Sequence, residues 1–275
     1  MTAWDVLIDE YERSLIAIGR PKTTIELRRN QLRYCAKSLN MRPDRITEAA
    51  LIDWFARHDW KPETRRSYRA GIRGFFAWAH KTGAVDHNPA ADLPSVKPDW
   101  PVPRPAPDLI LAQAMLAADA RVTIMLRLAA EVGLRRGEVA RVHTRDLHPS
   151  EHGWQLLVHG KGQRERLVPV TAELAVLIGL GAAGHTPNAG SRGWLFPGPH
   201  GHLAAKRVGW LCARAMPGIW TMHTLRHRFA TKAYRGTRNI RAVQMLLGHS
   251  SVAMTERYTA VDDDEMRAAM MAALA

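Results

Sequence analysis

Six residues in the second half of this 275-residue chain have the side chains needed to break and remake a phosphodiester: Arg135, Lys161, His223, Arg226, His249 and Tyr258, in that order. A tyrosine hydroxyl attacking phosphorus builds negative charge on the non-bridging oxygens and on the departing oxygen, and fixed cations stabilise both. Two arginines, a lysine and two histidines are sufficient for that, with no metal.

The local contexts sharpen the reading. Gly133-Leu134-Arg135-Arg136-Gly137-Glu138 sits at a break between two helical patterns, where a side chain can be aimed into a cleft. A planar guanidinium there suits bidentate contact with a phosphate; Arg136 reads either as a neighbour or as a DNA-backbone contact. Lys161 occupies the turn His159-Gly160-Lys161-Gly162-Gln163 between alternating runs at 154–158 and 166–170, a β-hairpin pattern with Arg164 just after the turn. A lysine in a polar turn is otherwise simply solvated, and Gly160-Lys161-Gly162 lacks the P-loop spacing, so ATP is not implied. His223 and Arg226 are three apart and share one helix face. His223 and His227 have the four-residue spacing of a zinc protease pair, but Thr224 stands where that motif needs its glutamate base and no third ligand is evident. No metal is expected. His200 and His202 read as part of a polar loop, and Trp4, Trp54, Trp78, Trp194, Trp210 and Trp220 as core or interface residues.

In order and spacing these residues resemble the tyrosine recombinase (phage integrase) family, which includes the Xer recombinases, over most of residues 108–261. The resemblance implies that Arg135 and Arg226 clamp the scissile phosphate and that Lys161 protonates the departing 5′-oxygen. His223 then positions the phosphate or handles the tyrosine proton, and His249 hydrogen-bonds a phosphate oxygen. Tyr258 is the implied nucleophile, giving a 3′-phosphotyrosine and a free 5′-hydroxyl; covalent storage of the bond energy removes the need for a cofactor. Glu138 aligns with a glutamate that supports the fold around the first arginine. Val132 stands where the family usually has Thr, and Arg228 where it often has Ser or Thr, which makes Arg228 a further DNA-backbone candidate. A type IB topoisomerase-like nicking and resealing enzyme shares this chemistry without synapsis. A catalytically silent DNA-binding protein is the other alternative, disfavoured because no catalytic position is substituted.

The elements that position these groups form two expected domains. The formal net charge of +13 and pI near 10.4 call for a polyanionic partner. Residues 101–275 carry 22 Lys and Arg against 13 acidic residues, and residues 1–100 carry 17 against 13, so the excess lies mostly with the proposed chemistry. Cys35 and Cys212 alone cannot build a disulfide framework or a four-cysteine zinc site. The acidic N-terminus is unlike a signal peptide, and no apolar run approaches a membrane span. A cytoplasmic location, bacterial or phage-encoded and on nucleoid DNA, is expected.

Residues 1–88 show helical patterns at 2–18, 23–39, from 47 and at 63–81, an all-helical domain, and the proline-dense stretch 89–107 reads as a linker. In the last of these helices Arg65, Arg66, Arg69 and Arg73 are DNA-contact candidates, with a solvated arginine face as the alternative. Residues 108–275 read as helices around a small sheet, with helices at 108–119, 122–131, 171–180, 206–213, 224–234, 240–247 and 252–258. The fold class is thus mainly α in two domains: by the resemblance, a helical core-binding (SAM-like) domain and an α+β catalytic domain that together clamp double-stranded DNA. Four protomers are expected to join two sites, with an accessory directionality factor as a further candidate partner. After an acidic start at Asp262-Asp263-Asp264-Glu265, an amphipathic pattern with Met266, Met270, Met271 and Leu274 is expected to dock on a neighbouring protomer.

Overall fold

The computed structural model describes the chain except for residues 1, 99–102, 161–163, 187–189, 191, 250–254, 256–269, 272 and 274–275. Lys161, Tyr258, the expected helix at 252–258 and most of the expected tail helix therefore lie outside the described residues. The chain divides into two compact units, Met1–Pro101 and Val102–Ala275.

The first unit is helical throughout its described residues. α1 (Ala3–Ala17) opens on a capping box between Thr2 and Asp5, and α2 (Lys22–Leu39) ends on Asn40 in the left-handed region. α3 (Glu48–Ala56) is capped by Thr47, and α4 (Pro62–Lys81) starts on a proline whose missing N–H would have had no partner there. Trp4, Ile8, Tyr11 and Leu15 follow helical spacing and meet Ile72, Phe75 and Phe76 of α4, with Trp4 stacked on Phe75 at 5.3 Å. The helices approach closely at Gly71, where a Cβ would lie 2.6 Å from Gln31 Oε1.

The proline-rich segment is tied down at both ends. Ala90 and Leu93 are buried in the first core, and the Leu93 carbonyl accepts from Arg69 Nε at 3.0 Å. Ala106 belongs to the second core, and its N–H donates to the Thr224 carbonyl at 3.0 Å. The stretch outside both cores is therefore shorter than residues 89–107, because small and apolar residues between the prolines find packing partners.

In the second unit, α5 (Asp108–Ala117) precedes α6 (Ala120–Glu131), which is buried nearly all round and forms the centre of the core. The four-residue α7 (Arg136–Val139) leads to an antiparallel sheet in the order β1 (Leu147–Ser150), β2 (Gly153–His159), β3 (Glu165–Val170). Leu156, Val158 and Val168 face inward from it. α8 (Ala172–Leu180) follows, then a two-residue hairpin of β4 (Pro197–Gly198) and β5 (Gly201–His202). α9 (Ala205–Ala215), α10 (Met222–Thr237) and α11 (Ile240–Leu247) complete the described elements. β1, with sequence Leu-His-Pro-Ser, has no alternation to announce it; its pairing with β2 makes it a strand. No helix is long and apolar enough to cross a membrane among the described residues.

Candidate active site

The site is built around one buried carboxylate. Gly133, at φ +70, turns the chain out of α6; a Cβ there would lie 2.4 Å from the Phe229 ring, so the turn needs glycine for both angle and space. The turn delivers Arg135 to the N-cap of α7, and Glu138 sits one turn into that short helix. The Glu138 carboxylate accepts from the Arg135 N–H at 2.9 Å, Arg135 Nη1 at 2.9 Å, Arg166 Nη1 at 3.1 Å and Arg166 Nη2 at 2.9 Å. Arg226 Nη1 stands 3.8 Å away. Burial by itself raises the pKa of this carboxyl; the Arg166 fork and charge, helped by Arg135, reverse that and hold it at about 2. Glu138 is therefore ionised, and it fixes the arginines in place.

Arg226 reaches the same point from α10. Its side chain is buried, with Nη1 donating to the Gly133 carbonyl at 2.5 Å and Nη2 to the Leu247 carbonyl at 2.7 Å. One guanidinium thus joins the first arginine turn to the end of α11. Gly248, at φ +61, ends that helix and presents His249, whose Nε2 lies 3.1 Å from Arg226 Nη2. A guanidinium can only donate, so Nε2 accepts, and the ring proton belongs on Nδ1, which faces Thr255 Oγ1 at 2.9 Å. Burial lowers the pKa of His249, and the charges of Arg226, Arg135 and Arg166 push it further, to about 3. The resulting arrangement is three guanidiniums around one carboxylate beside a neutral imidazole, a net positive site suited to an anion.

His223, exposed on the first turn of α10, pairs with His227 through their Nε2 atoms at 2.9 Å. A cleft of about 470 Å³ is lined by Arg135, Arg136, Lys206, Trp210, His223 and Arg226. Arg135, His223, Arg226 and His249 are thus brought together from α6–α7, α10 and the end of α11. Lys161 and Tyr258, which would complete the set, lie outside the described residues.

Three contributors went unrecognised in the sequence. Arg166 holds Glu138 and donates from Nε to the Leu246 carbonyl at 2.8 Å, so β3 and α11 are tied through it. Nothing in the local sequence separates it from its neighbour Arg164, which is exposed. Lys206 and Trp210 project from α9, where Arg207 and Arg214 stack on the indole at 4.1 and 4.8 Å. Trp210 is 44% exposed, in contrast with Trp4 and Trp54, which are core residues. Its spacing of three from Arg207 and four from Arg214 was the available signal.

The proposed DNA contacts separate into two groups. Arg65 donates to the Phe55 and His58 carbonyls at 2.8 Å each, Arg69 to Leu93, and Arg228 to Asp108 at 2.7 Å, so these guanidiniums are committed within their own units. Arg66, Arg73, Arg136 and Arg164 are exposed. His202, read from the sequence as part of a polar loop, lies on β5 because it pairs with Pro197, and its Nδ1 is 2.8 Å from the Leu203 carbonyl.

Residues 108–265 match the phage integrase family. Tyrosine recombinase XerC of Rhodospirillum centenum is 34% identical over 219 residues, covering 74% of this chain and 63% of that protein. Tyrosine recombinase XerD of Brucella suis is 27% identical over 279 residues, covering 90% of both. Among solved structures, a dimer of lambda integrase residues 75–356 bound to a COC′ core site superposes with a TM-score of 0.73 at 19% identity, covering 94% of this chain and 96% of that one. XerH recombinase in a post-cleavage complex with a palindromic difH substrate gives 0.68 at 20% identity, covering 90% of this chain and 78% of that one. At those identities the structural likeness establishes the fold, mainly α with a small sheet. Topoisomerase-like and silent DNA-binding alternatives are not favoured by these relatives. With the family matched over more than half of its length, and an arginine-histidine site assembled within the matched residues, the chain belongs to the phage integrase family and is a tyrosine recombinase.

Proposed function

We propose that this recombinase cuts and rejoins double-stranded DNA at specific sites through a 3′-phosphotyrosine, with Tyr258 as nucleophile. The observation that carries the reading is the convergence of Arg135, Arg166 and Arg226 on Glu138 beside a neutral His249, at the edge of a cleft that also holds His223. Held in place before the substrate arrives, the guanidinium donors need little reorganisation when charge develops on a phosphate, which is the condition for large electrostatic stabilisation. Tyr258 Oη attacks phosphorus and the bond from phosphorus to O5′ breaks. Lys161 supplies the proton that O5′ takes up, and the proton of Tyr258 passes to His223 or to solvent. Religation runs the same steps backwards with a different 5′-hydroxyl, so no nucleotide cofactor is required. Homo-oligomers on DNA, tetrameric at synapsis, carry out the exchange in the cytoplasm of a bacterium or phage host, with an accessory directionality factor where direction is controlled. Arg66, Arg73, Arg136 and Arg164, exposed and basic, are the DNA-backbone contacts this reading favours.

The test is covalent trapping. Wild-type protein and Tyr258→Phe are incubated without metal with nicked fragments of the source genome, the protein is denatured, and retained DNA is sequenced. Adducts confined to wild type, clustered at one site, are the expected result; adducts persisting in Tyr258→Phe overturn the assigned nucleophile.

A further inference from the structure

The geometry points to His159 as a positioning residue for Lys161: bridging Asp146 and Glu165, it holds the open end of the β2–β3 stem from which that lysine springs. The inference rests on reading Lys161 as the proton donor to O5′.

His159 and Glu165 are the last paired residues of the β2–β3 ladder, so the turn bearing Lys161 leaves the sheet at this pair. His159 Nδ1 lies 2.9 Å from Glu165 Oε1. On the other side Nε2 stands 3.1 Å from Oδ1 of Asp146, whose side chain is only 6% exposed. That second contact is at ion-pair distance but is not aligned as a hydrogen bond. The other charged group on Asp146 is Arg145, with Nε 3.9 Å from Oδ1.

The backbone is pinned at the same place. The His159 carbonyl accepts from Arg141 Nη2 at 2.8 Å, and Arg141 Nε donates to the Gly137 carbonyl at 3.0 Å. Gly137 belongs to α7, between Arg135 and Glu138, so the hairpin stem is tied directly to the first arginine turn. Within the turn, the Gly160 N–H donates to the Arg164 carbonyl at 2.7 Å. The ladder already closes the strands into a hairpin. What the cluster at its open end adds is a fixed direction relative to the arginine site.

The direction matters because Lys161 lies two residues beyond the anchor. Two residues and a lysine side chain can reach at most about 13 Å from the anchor, so a stem tilt of roughly 10° can move the ammonium by more than about 1 Å. Misplacement on that scale costs on the order of 10²-fold in rate.

The test uses the full-length protein and duplexes carrying the site recovered by covalent trapping, made with an ordinary phosphodiester or with sulfur replacing the bridging O5′. A thiol leaves as thiolate with a pKa near about 8.5 and does not need the proton an alkoxide needs. On ordinary DNA, His159→Ala is expected to cleave roughly 10- to 100-fold more slowly than wild type, with binding changed by less than about threefold. On the sulfur substrate both His159→Ala and Lys161→Ala are expected to come within about threefold of wild type. A His159→Ala defect equally large on both substrates, or absent on ordinary DNA, overturns the positioning role. A Lys161→Ala defect that persists on the sulfur substrate instead overturns the proton-donor reading on which the role rests. The anchor is also readable without DNA: amide exchange across residues 159–165 should quicken by at least about tenfold in His159→Ala while Leu156 and Val158 stay protected, and unchanged exchange overturns the inference.

Discussion

At the scale of single residues, the site is governed by how one negative charge organises several positive ones. Three guanidiniums crowded together repel one another, and Glu138 provides the buried counter-charge that lets them coexist. Burial, helped by the guanidinium charges, keeps His249 neutral. Both groups have pKa values below their ordinary ones, Glu138 at about 2 against 4.5 and His249 at about 3 against 6.5. In each case the unfolded chain binds protons more readily than the folded one, so stability rises with pH across the interval between the two values. The His249 contribution is complete above about pH 6.5 and is lost on descending toward pH 3; that of Glu138 is complete above about pH 4.5 and is lost toward pH 2. The urea midpoint of the second unit is therefore expected to fall between pH 7 and pH 4, and His249→Asn should narrow that difference. An unchanged difference in the variant would show that His249 is not its source.

At the scale of elements, Arg166 is the junction. β3 brings it out of the sheet, its fork grips Glu138 of α7, and its Nε caps the Leu246 carbonyl near the end of α11, just before Gly248 and His249. α7, α11 and strand β3 thus share one side chain. Lysine keeps the charge but has neither the fork nor a third donor in that plane. Arg166→Lys is expected to slow DNA cleavage by about 10- to 100-fold through misplaced arginine donors. DNA affinity, set by many phosphate contacts, should change by less than about tenfold. Single-turnover cleavage set beside binding isotherms separates the two, and parallel losses in both would mean that Arg166 acts through the phosphate contacts themselves. The Arg207–Trp210–Arg214 stack on α9 works on the same scale, holding cations and an aromatic face at the wall of the cleft.

At the scale of the whole molecule, each unit has its own core, and each carries exposed arginines. Charge of this size makes association with DNA steeply dependent on salt, with a logarithmic slope of about −0.9 per phosphate contacted. Replacing Arg66 and Arg73 together by alanine is expected to flatten the slope by about 1.8 if both touch phosphate. Replacing Arg65 and Arg69, which hold the Phe55, His58 and Leu93 carbonyls, should instead lower the thermal stability of the first unit. Binding titrations over a range of salt concentrations, together with thermal melts, decide the assignment; an undiminished slope in the first pair would remove those residues from the interface.

The helical patterns up to residue 247, the strands flanking Lys161 and the motif order of Arg135, His223, Arg226 and His249 were readable from the sequence, because periodicity, glycine placement and spacing are local properties that survive without a fold. Such patterns show which side chains share a helix face but not what that face meets. The commitment of Arg65, Arg69 and Arg228 to partners within their own units depended on which carbonyl or carboxylate arrived opposite each one, and only packing supplies that. Arg166 was indistinguishable from Arg164 until β3 placed one over Glu138 and left the other exposed. The strand Leu147–Ser150 likewise exists because β2 lies beside it. The sequence by itself determined the candidate reacting groups and their order along the chain. The tertiary structure decided their charge states and neighbours, since burial and electrostatic fields act between segments far apart in sequence, as Arg226 does when it reaches from α10 to the carbonyls of Gly133 and Leu247.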